Sequence, residues 1–478
     1  MDIFDNENEY SAVSQNAELE KALEGGYGAD ASAFTQGRAL QREDLEATLV
    51  SVLDVKQNDC KVFHKLHKQP ISSTVHQVNR QTSVGDDEFL FVGEGEQATE
   101  DDPRFQRKIY ETKYMSSKWQ VSHPLTMTNN AENPINASKV SAVLRVTKGT
   151  ERAIFHGDST VNPKQYDGFI KILNDSANDT SVEERLRATK VDIRGLEIGE
   201  KNNEIDAGEN LFDSIAEKVY SKGGELAEAY FPPILAGQFK KMYSDRLRFT
   251  TKDSQFAMDK LPDIVTATDQ TIKITDDCGA DKMFKVKGHV FAMGDTKNRP
   301  NTPTGLTATP SSSSTSQFTD GFKGEYTYAV HAINAYGVSA PKVLESPVTV
   351  AVGEKVTLTI TADTNGPAAT GYIITRTNAG GTDLMEMVRI PKKGDSQSYE
   401  DNNESLPGTA QVVLLTPTTD DLAPNISFGQ LMGISNFDLQ TDSSLAHRGV
   451  VALYGMLEMR APEFCALIDN VGYRGGLY

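Results

Sequence analysis

The sequence predicts an α+β chain carrying an inserted all-β sandwich, and three patterns lead there. Residues 326–341 read YTYAVHAINAYGVSAP. Tyr326, Tyr328, Val330 and Ala332, with Tyr336 past Asn334, place apolar groups on alternate positions, the period of a strand with one buried face. Residues 136–156 switch period: Val140, Val143, Leu144, Thr147, Glu151 and Ile154 follow helical spacing, which predicts a long helix. Between 69 and 124, two alternating stretches flank a polar, acidic excursion. A chain of 478 residues has room for two or three domains and a sizeable core.

Composition narrows the function. A formal charge of −19 and a pI near 4.9 exclude broad nucleic-acid binding, which needs Lys and Arg to displace phosphate counterions. Such acidity serves solubility, or suits a container wall that must not stick to a polyanion inside it. The opening residues, Met1-Asp2-Ile3-Phe4-Asp5-Asn6, have neither the basic nor the apolar region of a signal peptide. No run reaches the ~18 apolar residues of a membrane span. Cys60, Cys278 and Cys465 are odd in number and far apart, so they read as reduced, buried thiols of a protein made in a reducing cytoplasm.

Along the chain, two helices are expected in the first fifty-odd residues. Leu19, Ala22 and Leu23 share one face that stops at Gly25-Gly26, and Leu45, Leu49, Val52 and Leu53 form a second stripe. A small, polar linker joins them, which suits an arm that packs on a neighbour. Next, residues 74–78 read as a strand and residues 108–115 as its return, with Asp86, Asp87, Glu88 and then Glu100, Asp101, Asp102 between them. A two-stranded ribbon is marginal alone in water, so it must lie against another part of the fold or another subunit. Ser138 is the expected cap of the long helix, and Gly149 a weak point within it. Further helices are expected over 211–222 and, after Pro232-Pro233, over 233–247. Strands are expected over 264–274 and 283–293.

A Pro/Asn/Thr hinge at 298–304 opens the insert. Alternating strands follow at 303–308, 326–336, 356–360, 371–376, 385–390 and 399–401, and Pro407-Gly408 ends the module before a last strand at 412–415 returns the chain. These strands resemble a fibronectin-type or immunoglobulin-like sandwich. The order departs from the fibronectin pattern, because the Tyr328 strand precedes the Tyr372 strand. Such modules decorate secreted or surface proteins, and nothing else in this chain reads as secreted. A sandwich of that kind within an acidic, assembly-sized chain points toward a virus particle. The tail contributes a largely buried strand over 450–462.

No catalytic constellation emerges. His64 and His67 stand three apart, a spacing that suits a metal on a helix, but without a third ligand nearby they read as a basic surface turn. The acidic residues at 86–88 and 101–102 lack the frame of a calcium loop and read as a solvated, charge-bearing loop. Neither a phosphate-binding Gly-rich loop nor a nucleophile elbow occurs. Cys465 reads as an inert core thiol, and Trp119 as a packing anchor beside the ribbon's return strand. No metal, cofactor or enzymatic activity is expected.

The order of these parts resembles the major capsid proteins of tailed bacteriophages, which have the Hong Kong 97-type shell fold, and most of all those of large lytic myophages. The residues that carry the resemblance are Gly37-Arg38-Ala39-Leu40-Gln41-Arg42-Glu43-Asp44-Leu45, Gln69-Pro70-Ile71-Ser72-Ser73-Thr74-Val75, residues 151–158 with 166–170, and Tyr454-Gly455 through Arg460-Ala461-Pro462. It implies an N-terminal arm (1–68), an extended loop (69–124), a spine helix with peripheral and axial domains (125–297), an inserted immunoglobulin-like domain (298–417) facing outward, and a return to the core (418–478). It also implies pentamers and hexamers tiled into an icosahedral shell around double-stranded DNA, and a virion protein made in the host bacterial cytoplasm. Portal, scaffold or decoration proteins are implied partners, and no membrane is. The extended loop would reach over the neighbouring subunit, and Asp86, Asp87 and Glu88 would meet Arg104, Arg107 and Lys108 across that contact. Other readings are a surface-binding adhesin using the insert, and a bacterial nanocompartment shell. A secreted polysaccharide hydrolase would need a signal peptide and an aromatic cleft, and the chain has one tryptophan.

Overall fold

The computed structural model describes residues 60–85, 91–97, 102–128, 133–202, 205–242, 264–265, 271–275, 297–419, 423–440 and 445–472. The two N-terminal helices, the 283–293 strand and Cys278 fall outside these residues.

A helix at Pro134–His156 lies across a four-stranded sheet whose strand order is His67–Pro70, Ile426–Leu439, Ala446–Met459, Lys113–Ser122. The first pair is parallel and the others antiparallel. Val146, Ala153 and Ile154 of the helix share a core with Trp119, Val121, Phe428, Val451 and Leu453 of the sheet. Alternation along Lys113–Ser122 is clean, with Ser117, Trp119 and Val121 buried and their neighbours exposed, as a sheet covered on one face requires. Trp119 is the anchor that the sequence suggests: its indole N–H donates to Asn436 Oδ1 at 2.9 Å. Gly449 sits opposite it, where a Cβ would come within 2.4 Å of the ring. The helix starts earlier than Ser138, because Asn133 Oδ1 accepts the Ile135 N–H at 3.0 Å and Pro134 fills a position that needs no donor.

A six-stranded sheet forms the second body, in the order Thr189–Asp192, Ala466–Val471, Ala410–Leu415, Glu228–Tyr230, Thr271–Thr275, Ile264–Val265. The stripe Leu211, Ile215, Val219 of helix Glu209–Ser221 packs on it with Phe212, Phe231 and Phe239. The helix at 233 is described as far as Met242. The 264–274 segment forms two short antiparallel strands rather than one.

Residues 305–401 form an all-β unit with a core of its own. One sheet has the order Ser396–Asp401, Glu354–Thr361, Gly305–Ser312; the other has Gly337–Val338, Tyr328–Asn334, Gly371–Arg376, Met385–Pro391. Leu306, Val356, Leu358 and Ile360 from the first sheet meet Tyr328, Val330, Tyr372 and Ile374 from the second in one core. Two differences from the sequence reading have physical causes. The strand Tyr328–Asn334 is buried on both faces, since Ala329 and His331 are as covered as Tyr328 and Val330. The far side of its sheet rests on the body: a Cβ on Gly371 would meet Val161 at 2.9 Å. The Ala410–Leu415 strand pairs with Glu228–Tyr230 and Ala466–Val471, so it belongs to the six-stranded sheet, and the sandwich's own strands end at Asp401.

Candidate assembly surface

Val75–Ser83 and Arg104–Glu111 pair antiparallel from Val75 opposite Glu111 to Ser83 opposite Arg104. Alternation gives this ribbon two unlike faces. His76, Val78 and Arg80 point inward with Gln106, Lys108 and Tyr110, while Val75, Gln77, Asn79 and Gln81 share the outer face with Phe105, Arg107, Ile109 and Glu111.

The inner face is held by the chain itself. Arg80 Nη1 donates to both carboxylate oxygens of Glu463 at 2.8 Å and to the Arg460 carbonyl at 3.2 Å, and its Nε donates to Gln106 at 2.9 Å. Tyr110 O–H donates to the Met459 carbonyl at 2.5 Å, and burial raises its pKa to about 12. The Arg80–Glu463 bonds are charge-assisted and partly shielded from water, which makes them the stronger of these contacts. The ribbon therefore lies against another part of its own fold at its base, one of the two outcomes its lack of a core allowed. Beneath it, a cavity of about 310 Å³ is lined by Lys108, Ile109, Tyr110, Asp167, Ile172 and Asp175, among others.

The outer face is a different matter. Phe105 is 68% exposed and Ile109 61%, and near the ribbon's end Phe91 is 96% exposed. Large side chains grouped on an uncovered face mark an interaction surface more often than chance exposure does.

The six residues expected at a subunit contact divide. Asp86, Asp87 and Glu88 lie outside the described residues. Arg104 reaches Glu183 at 3.3 Å, both exposed, and Arg107 donates to Asn79 at 3.0 Å on the outer face. Lys108 points inward instead, because its position in the alternation matches that of Val78 and Tyr110. Burial, then the nearby Arg80, lowers the Lys108 pKa to about 8. Its charged form is thus disfavoured in the folded chain, and that penalty is present below about pH 8 and relieved as pH rises toward the unfolded value of about 10.4. Stability is expected to rise with pH across that window in the native chain. In Lys108→Met the rise should flatten, as read from urea midpoints over a pH series.

Sequence reasoning missed Glu151. Its carboxylate, 3% exposed, accepts the backbone N–H of Val62 at 3.1 Å and of Phe63 at 2.7 Å. It thereby satisfies two orphan donors at the start of helix Lys61–Lys65 and ties the segment leaving toward the N-terminus to the long helix. The signal was present: a carboxylate sits on the same helical stripe as Val143, Thr147 and Ile154.

The remaining candidates are placed as follows. His64 lies in the last turn of helix Lys61–Lys65 and His67 begins the following strand. Among the described residues no group of three or more His, Cys, Asp or Glu could hold a metal, and no helix is long and apolar enough to cross a membrane. Cys60 and Cys465 are buried and unbonded to each other. Burial raises the Cys465 thiol to about 12, which leaves it protonated and unreactive at neutral pH.

No family model matches the chain. It is 25% identical over 508 residues to a putative major capsid protein of Enterococcus phage phiEF24C, with 97% of each chain covered. It is 22% identical over 479 residues to the major capsid protein of Staphylococcus phage K, covering 95% of this chain and 94% of the other. Among solved structures, the capsid of the native GTA particle superposes with TM-score 0.46 at 10% identity, covering 93% of this chain and all of that one. The capsid of cyanophage P-SCSP1u gives 0.44 at 11% identity, covering 93% and 97%. The chain is a mixed α/β homologue, along practically its whole length, of the major capsid proteins of phages.

Proposed function

We propose that the chain is the subunit of a phage head, tiling with copies of itself as pentamers and hexamers into an icosahedral shell around double-stranded DNA. The observation that carries this reading is the whole-length relatedness to phage capsid proteins; an adhesin or an enzyme has no counterpart observation. The proposed division is an arm at 1–68, a ribbon at 69–124, a spine-helix body at 125–297, an immunoglobulin-like insert within 298–417 exposed on the outer surface, and a return to the core at 418–478. Portal and scaffold or decoration proteins are the proposed partners, and no catalytic role is proposed. DNA is enclosed rather than read, in keeping with a charge of −19.

In this reading the outer ribbon face, with Phe105 and Ile109, is covered by the neighbouring subunit, and the acidic tip at Asp86, Asp87 and Glu88 meets cations such as Arg104 and Arg107 of that neighbour. A closed shell repeats one heterologous contact around each capsomer. Burying a Phe or Ile side chain contributes about 1.5–3 kcal/mol, and the contact recurs at every subunit. The double variant Phe105→Asp/Ile109→Asp is expected to remain as small oligomers in sedimentation velocity while the native chain forms large particles. Native-like assembly of the variant would remove the ribbon face from the contact.

A further inference from the structure

Two imidazoles that no sequence spacing links are brought together at the far end of the four-stranded sheet. His123 follows directly on strand Lys113–Ser122, and its backbone N–H donates to the Leu445 carbonyl at 3.0 Å. His447 lies opposite Val121 in the adjoining strand. His123 opens the short helix His123–Met127 just where the ladder ends, and so stands diagonally across from His447, within the reach such neighbours have. Their rings stand 5.7 Å apart, and His123 Nδ1 lies 3.5 Å from His447 Nε2. His447 is exposed and His123 is half-buried. By the same alternation, Lys118 and Arg448 fall on the opposite face of the sheet.

We propose that His123 and His447 form a binding site for a first-row divalent metal ion, with two imidazole donors and the remaining positions open to solvent or to another chain. Two metal–nitrogen bonds of about 2.0–2.1 Å at a tetrahedral angle span about 3.3 Å, close to the observed separation. A direct N–H···N bond, by contrast, is already at its long limit at 3.5 Å. Imidazole suits zinc, copper and nickel; His447 is held within its strand, and the backbone of His123, first residue of the short helix His123–Met127, is tied to that strand through Leu445, so little ordering is needed to bind. His64 and His67, close in sequence, are divided between a helix end and a strand start and are not part of this site.

The test is calorimetric titration of the purified full chain with zinc chloride alone, at neutral pH, beside His123→Ala, His447→Gln and the double variant His64→Ala/His67→Ala. One ion per chain is expected in the native protein, weakened about tenfold or more by either substitution in the pair and unchanged in the His64/His67 variant. Circular dichroism of each variant confirms the native fold. With copper(II) in place of zinc, electron paramagnetic resonance should show coupling to two nitrogens. Binding unaffected by loss of His123 or His447, binding lost with His64 and His67, or no saturable binding at all would overturn the proposal.

Discussion

Asp401→Ala is expected to lower the unfolding free energy of the chain by about 3–5 kcal/mol, the usual cost of stranding one member of a buried ion pair. Asp401 and Arg376 are each 1% exposed and meet at 2.5 Å inside the all-β unit. The guanidinium also donates to Asn403 at 2.7 Å, while the carboxylate accepts the Tyr328 hydroxyl at 2.9 Å. The guanidinium lies over the Phe318 and Tyr326 rings, at 5.4 and 4.8 Å from their centroids. Burial works against the charge on Arg376, yet Asp401, together with Tyr328 and Tyr326, outweighs it and the pKa is raised. Removing the carboxylate leaves a buried cation with Asn403 as a neutral acceptor and no counter-ion. Arg376→Met/Asp401→Leu should recover much of the loss, since neither charge is then buried. Urea unfolding of the full chain, followed by tyrosine fluorescence, measures all three proteins. A loss under about 1 kcal/mol in Asp401→Ala, the range of an exposed pair, would contradict the account of this network.

Glu151→Ala has the second large effect. Two backbone donors, at Val62 and Phe63, lose a charged acceptor in a buried setting, and the expected cost is about 2–4 kcal/mol. Its local signature is the sharper observable. Amide exchange at Val62 and Phe63 should accelerate far more than exchange in the core strands, because the helix Lys61–Lys65 loses what closes its first turn. Glu151→Gln retains one acceptor oxygen and should fall between the native chain and the alanine variant. Equal protection of those two amides in all three proteins would show that the contact does not hold this segment.

How much of this was legible in the sequence depends on what each element packs against. Period alone located the long helix, the ribbon strands and most strands of the all-β unit, because most of these have two unlike faces. It described Tyr328–Asn334 as covered on one face only, since nothing local says that Ala329 and His331 meet a second body. It likewise could not assign Ala410–Leu415 to a sheet, as its partners at 228–230 and 466–471 lie far away in sequence. Cap chemistry misled by a few residues: Ser138 has the right side chain, but Asn133-Pro134 comes first and starts the helix. The inward face of the ribbon was readable as alternation, whereas its lock on Glu463 was not, because 383 residues separate Arg80 from its partner. For the same reason Lys108 was grouped with Arg107, though it points the other way. Glu151 was readable in principle: a carboxylate on an apolar stripe demands a partner, and here the partner is backbone.

Electron microscopy of the expressed and purified full chain puts the central claim to its most direct trial. The account requires closed, hollow particles of uniform diameter, with each ribbon's Phe105 and Ile109 covered by an adjacent subunit in the reconstruction. A population that stays monomeric under every condition favouring assembly, with that outer face open to water, would contradict it.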